Sequence, residues 1–221
     1  MRFSEIKKDL HEKVYEILGK DIIELRPSQI KSIKAGLFHD NNLLVCTPTA
    51  SGKTLVAELA ITKNILEQKG KAIYIVPLKA LANEKYKDFK KKYSSLFNIA
   101  LSIGDLDSAD PYLAGYDLII CTAEKLDSLI RHHAPWLSNV KTVVVDEVHL
   151  MNDIGRGPTL EILITILRQL LPNMQLIALS ATIGNPKKLA EWLNAELVED
   201  DWRPVKLRKG TYLQGEIEFE E

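Results

Sequence analysis

The chain has 221 residues, of which 46% are hydrophobic and 27% charged, with 29 Lys plus Arg set against 30 Asp plus Glu. This balance excludes disordered and collagen-like classes, and a formal net charge of -1 leaves any contact with a polyanion to local basic clusters. The opening MRFSEIKKDL lacks the apolar centre and cleavage site of a secretory signal, and no stretch approaches the roughly 18 apolar residues of a membrane span, so the expectation is an intracellular protein with no membrane partner.

In chain order, Ile6, Leu10, Val14 and Ile17 recur at helical spacing and predict an N-terminal helical extension over residues 1–20. Residues 21–201 form the expected main domain. In it, apolar, β-branched runs alternate with helical patterns: LLVCT (43–47), AIYIVP (72–77), IALSI (99–103), DLIICT (117–122), TVVVD (142–146) and LIALS (176–180). Nearly continuous apolar runs suit strands buried on both faces, which predicts an α/β fold with a parallel sheet and helices on both faces. Leu160, Leu163, Ile164, Leu167 and Leu171 mark the core face of one such helix. Cys46 and Cys121 each lie in a buried run, without the paired spacing of a zinc site, and are read as small core residues. His132 and His133 have no metal-spaced partners and are read as surface or helix-end residues. Residues 202–221 mix Arg203, Lys206, Arg208 and Lys209 with an acidic end and read as an extended tail.

Two motifs carry the chemistry. After the first run comes Thr47-Pro48-Thr49-Ala50-Ser51-Gly52-Lys53-Thr54, the shape of a P-loop: a tight turn whose N–H groups, backed by the positive end of the next helix, point at phosphate oxygens. Gly52 permits close approach, Lys53 is placed to reach the β- and γ-phosphates, and the Thr54 hydroxyl to ligate Mg²⁺. Thr47 stands where the general pattern has glycine. The second motif closes the fifth run, where Asp146 can hold Mg²⁺, directly or through water, and Glu147 can polarise an attacking water. Together they predict a P-loop NTPase using ATP and Mg²⁺.

Asp146-Glu147-Val148-His149 with TPTASGKT resembles the DExH signature of superfamily 2 helicases, and the family's other motifs follow in order. LRPSQ (25–29) looks like the adenine-reading Q motif, with Gln29 pairing to the base. PLKALANEK (77–85), SIGDLD (102–107) and CTAEKLDSLIR (121–131) resemble the nucleic-acid motifs. These assign Lys79, Asn83, Gly104, Asp105, Thr122, Glu124 and Lys125 to the backbone of one strand, although any one such lysine could equally be a solvated surface charge. Ser180-Ala181-Thr182 looks like the motif that couples nucleotide to strand, and His149 is expected to link the ATP site to it.

GRGPTLE (155–161) and DDWRPVKLRKG (200–210) look like the Ski-type branch, and within it resemble the archaeal DNA helicases of stalled forks and Holliday junction migration. The resemblance implies a RecA-like first motor domain, a monomer acting on single-stranded or forked DNA, with the tail leading toward a second RecA-like domain that supplies the finishing arginines. It also implies a nucleoid-associated protein if the source is archaeal. Two alternatives stay open from the residues alone: an RNA helicase domain, and a nucleotide-gated binding module without turnover.

Overall fold

The computed structural model describes residues 1–104, 110–205 and 210–219. The apolar runs form strands β1 (Leu43–Cys46), β2 (Lys71–Val76), β3 (Ile99–Ser102), β4 (Leu118–Thr122), β5 (Val140–Val145) and β6 (Gln175–Ser180), joined by β7 (Glu196–Glu199). They pair in parallel in the order β3-β4-β2-β5-β6-β1-β7, with Tyr74 level with Val144 and Ile120, and Val45 level with Leu179 and Val198. The α/β class and the parallel sheet are those expected.

Strand side chains alternate between two apolar layers. Leu43, Val45, Tyr74, Ile120, Val144 and Leu179 enter one layer, while Leu44, Cys46, Ile73, Ile119, Val145 and Ala178 enter the other. The first layer is closed by α1 (Glu12–Leu18), α3 (Lys53–Gln68) and α4 (Lys79–Tyr93), with α2 (Pro27–Lys34) packed on α3. The second is closed by α5 (Ala123–Arg131), α6 (Gly157–Leu170) and α7 (Pro186–Leu193). The α6 stripe Leu160, Leu163, Ile164, Leu167 and Leu171 is buried as its spacing predicts. Both cysteines are buried free thiols, and burial pushes Cys46 up to about 11 and Cys121 up to about 12, so both stay protonated and inert.

Two polar ties set the helix that follows the phosphate loop. The Asn64 amide donates to Thr142 Oγ1 on β5 and to Gln175 Oε1 on β6, and Gln175 Nε2 in turn donates to Leu37 O. Glu58, buried on α3, accepts from Lys92 Nζ at 2.8 Å and from the Tyr93 hydroxyl at 2.6 Å, locking α3 to α4. Burial, then the Glu58 charge, raise the Tyr93 pKa far above the ordinary phenol value, so this hydroxyl acts only as a donor.

Three features differ from the sequence reading. The N-terminal stripe is not one helix: it comprises a 3-10 helix, Phe3–Asp9, an extended Leu10, and then α1, whose N-cap His11 accepts from Lys13 N. Phe3, Ile6, Leu10 and Val14 are buried in the same layer as α3. β7 was not foreseen, because only Val198 of its four residues is buried. The terminal segment carries an exposed antiparallel hairpin, β8 (Gly210–Leu213) with β9 (Glu216–Phe219).

Candidate functional site

Parallel strands bring their C-terminal ends to one edge, and the motif-bearing loops gather there. Because β6 lies between β1 and β5, Ser180 to Thr182 stand between the phosphate loop and the Asp146 loop.

The phosphate loop is shaped by its own side chains. Thr47 and Ser51, both buried, share a 2.7 Å hydrogen bond between hydroxyls. Thr47 is not among the residues with positive φ, whereas Ala50 (φ 63°) and Gly52 (φ 93°) are, so the turn takes its left-handed steps later and tolerates threonine where glycine is usual. Gly52 caps α3 without any side-chain cap, leaving the first helical turn's N–H groups directed at the loop's mouth. Lys53 folds back, its Nζ donating to Thr47 O at 2.7 Å and Pro48 O at 3.1 Å. Burial pulls its pKa below the ordinary lysine value, opposed by the charges of Glu147 and Asp146. An ammonium held this way gains a great deal from an anion.

Gln29 is anchored at both ends of its amide: Oε1 accepts from Arg26 N at 2.8 Å and Nε2 donates to Gly52 O at 3.1 Å. One acceptor lone pair and one N–H remain, the pair an adenine edge requires. The amide faces a cleft of about 430 Å³, shared with Ile22, Ile23, Arg26, Gly52, Thr54 and Lys85. Arg26 Nη1 donates to Ala50 O at 2.6 Å, and its guanidinium lies 5.4 Å from the Trp202 ring centre.

At the end of β5, both oxygens of Asp146 are held. Oδ1 accepts from Glu147 N at 3.1 Å and Oδ2 from the buried Tyr74 hydroxyl at 2.9 Å. Burial, followed by the Asp146 charge, drives the Tyr74 pKa well above its ordinary value. Glu147 sits in the left-handed region (φ 53°), a strained backbone that turns its carboxylate away from the strand direction. His149 joins this loop to the next: Ala181 N donates to its Nδ1 at 3.4 Å, while Glu147 Oε2 stands 3.2 Å from the same atom. One ring nitrogen serves Ala181 when unprotonated and Glu147 when protonated.

Among the described residues no group of three or more His, Cys, Asp or Glu could hold a metal ion. A hydroxyl and one carboxylate are nonetheless what Mg²⁺ uses when phosphates and waters complete its shell. Thr54 and Asp146 meet that description, and an ammonium already lies against both: Lys85 Nζ donates to Thr54 Oγ1 at 3.1 Å and is 3.9 Å from Asp146 Oδ2.

The expected strand-contact residues divide. Lys79, Asn83, Gly104 and Glu124 are exposed, Lys79 and Asn83 on the first turn of α4 and joined by an Asn83 Nδ2 to Lys79 O bond. Thr122 is buried as the N-cap of α5. Lys125 is a correction: it is 1% exposed and its ammonium is 2.9 Å from Asp110 Oδ2, so it is a buried structural cation and not a phosphate contact. The helical turn after Thr122 points it into the domain. Asp105 lies outside the described residues. Three residues were missed by sequence reasoning: Tyr74 and Lys85, which look like core and surface, and Arg156, which lines a small pocket of about 20 Å³ with Pro77, Glu124 and Glu147. Lys85 at the end of PLKALANEK and Arg156 in GRGPTLE were the available signals.

A family model described as DEAD/DEAH box helicase matches residues 26–189. The chain is 51% identical, over its whole length, to the ATP-dependent DNA helicase Hel308 of Pyrococcus horikoshii, and 57% identical over 94% of its length to that of Methanocaldococcus jannaschii. It spans 30% and 18% of those relatives. Its fold superposes on the DUF1998 helicase MrfA bound to DNA with a TM-score of 0.76 at 27% identity, covering 88% of this chain and 30% of that one. It matches Mycobacterium smegmatis helicase Lhr bound to ssDNA and AMP-PNP with a TM-score of 0.74 at 28% identity, covering 86% of this chain and 27% of that one. No helix among the described residues is long and apolar enough to cross a membrane.

Proposed function

Since the chain belongs to the DEAD/DEAH box helicase family, we propose that it is the ATP-binding first motor domain of a DNA helicase that moves on single-stranded DNA and opens duplexes or forks in replication-coupled repair. The observation that carries this reading is the convergence, on one sheet edge, of the phosphate loop, the Asp146–Glu147 pair and the Ala181–His149 link. Support for DNA as the track comes from relatives named as DNA helicases and from neighbours solved with DNA.

In the proposed cycle the Gln29 amide reads the adenine edge, and Ile22 and Ile23 wall the base. Lys53 leaves the Thr47 and Pro48 carbonyls for the β- and γ-phosphates, which the N–H groups of Gly52 to Thr54 cradle. Thr54 and Asp146 would hold Mg²⁺, which when bound neutralises phosphate charge and orients the chain. Glu147 orients and polarises the attacking water. The state of that carboxylate reaches Ala181 through the shared Nδ1 of His149, and so reaches the loop between the nucleotide and the strand. Lys79, Asn83, Gly104 and Glu124 line the track. The whole protein would add a second RecA-like domain whose arginines complete the site, a contribution commonly worth about 10³ to 10⁵ in rate.

Two measurements test this reading. The chain should bind a fluorescent ATP analogue with Mg²⁺, and Lys53→Ala should abolish that binding; equal binding by the variant would reject the site. In the full-length protein, Glu147→Gln should keep ATP binding and lose strand-stimulated hydrolysis. Matched DNA and RNA strands in the same assay decide the track, and stimulation by RNA alone would overturn the DNA assignment.

A further inference from the structure

The carboxylate end of the site contains a cation of its own. Lys85 reaches from the middle of α4, and its ammonium lies between Thr54 and Asp146, the two groups contributed by different motifs and different strands. The arrangement is not a solvent-washed surface bridge: the Lys85 side chain is 17% exposed and that of Asp146 14%. Asp146 Oδ2 already accepts from the Tyr74 hydroxyl, and the Tyr74 ring centre lies 5.9 Å from Lys85 Nζ, so the ammonium and the carboxylate share Tyr74 as a neighbour. Neither composition nor motif spacing requires a lysine to point here.

We infer that Lys85 is the resident counter-ion of the metal site: its ammonium, bonded to Thr54 and facing Asp146, must be displaced for Mg²⁺ to bind. This rests on the reading of Thr54 and Asp146 as the Mg²⁺ groups. The two cations are mutually exclusive on physical grounds. Mg²⁺ demands oxygens at about 2.0–2.1 Å in near-octahedral array, and a second positive charge bonded to one of its protein groups and 3.9 Å from the other would oppose it through the little solvent present. Loss of the ammonium without replacement is also unfavourable, because the paired charges of Asp146 and Glu147 would then lean on Lys53 with less positive charge opposing them. The departing side chain has a place to go. Asp88, three residues further along α4, lines the same cleft and lies at the spacing at which helical side chains meet. Lys85 is thus a positioning residue that sets how much Mg²⁺ the site requires.

The test is a Mg²⁺ titration of the 221-residue chain with a fluorescent ADP analogue, read by anisotropy, alongside the thermal midpoint of the metal-free protein. ADP is chosen because it has no γ-phosphate that Lys85 could also contact. Lys85→Met should lower the Mg²⁺ concentration for half-maximal binding by about tenfold, by removing the competitor, and should lower the metal-free thermal midpoint. Lys85→Arg, which keeps the charge, should stay near the wild-type Mg²⁺ requirement. If the Met variant does not melt cooperatively, Lys85→Gln takes its place, with the same shift expected. An unchanged or increased Mg²⁺ requirement in the uncharged variant would overturn the inference and leave Lys85 a plain structural tie. Failure of the wild-type chain to bind ADP at any Mg²⁺ concentration would instead overturn the nucleotide reading, and this inference with it.

Discussion

Replacing Tyr93 with Phe and Glu58 with Ala deletes one hydrogen bond from its opposite ends, yet the costs should differ. Tyr93→Phe leaves Glu58 still accepting from Lys92 and should cost about 1 kcal/mol, the net worth of a typical intramolecular hydrogen bond. Glu58→Ala strands a buried phenol that has lost its Glu58 acceptor and should cost about 2–3 kcal/mol. Urea unfolding of the two variants checks the order, and a larger loss from Tyr93→Phe would contradict it. At this scale the sequence is legible where chemistry restricts residue type. Gly52, Lys53, Thr54, Asp146 and Glu147 stand out in the sequence because few other residues suit the proposed chemistry, and the fold brings them to one sheet edge. Thr47 stands where the general pattern has glycine, and the Thr47–Ser51 hydroxyl pair and a φ outside the positive region accommodate the threonine. Tyr74 and Lys85 were illegible because a tyrosine in an apolar strand and a lysine in a basic helix are ordinary until their tips are located.

Elements were read from their burial pattern, and they were read well where that pattern is extreme. Strands β1 to β6 are apolar on both faces because helices cover both, so each announces itself as a continuous run. The edge strand β7 buries only Val198 and carries no such signal. The N-terminal stripe has helical spacing, but spacing alone does not report that Leu10 is extended between two short helical pieces. The turn between β1 and α3 gives a prediction at this scale. Gly52 has φ 93°, and a Cβ there would collide with the Gln29 amide nitrogen, so Gly52→Ala would strain the backbone and also push away the side chain proposed to read the base. Nucleotide affinity should fall by more than about tenfold, with a stability loss of about 1–3 kcal/mol. Isothermal titration and thermal melts would separate the two effects, and wild-type affinity in a folded variant would show that the loop is free to adapt.

Across the whole molecule, the edge proposed to face the strand owes its charge to a few residues, since the chain as a whole is nearly neutral. Lys79 and Lys125 were assigned the same role from sequence, and the structure separates them. Lys79→Ala should fold normally, weaken single-strand binding and reduce the slope of log affinity against log salt by about 0.7. Lys125→Ala leaves a carboxylate beside the site of a lost buried partner and should cost about 3–5 kcal/mol of stability, with no comparable change in salt slope for the folded fraction. Salt titrations and melts of both variants test this, and equal behaviour would reject the distinction. Helical position alone could not make it, because both lysines follow the end of a buried strand and only the turn of the helix decides which one faces inward.

The placing of β6 between β1 and β5 also sets a span. Phosphate loop and carboxylate loop are two strand spacings apart, about 10 Å along the sheet, too far for either backbone to grip a group the other also holds. A ligand held by both loops must therefore span that gap, passing over the end of β6 at Ser180.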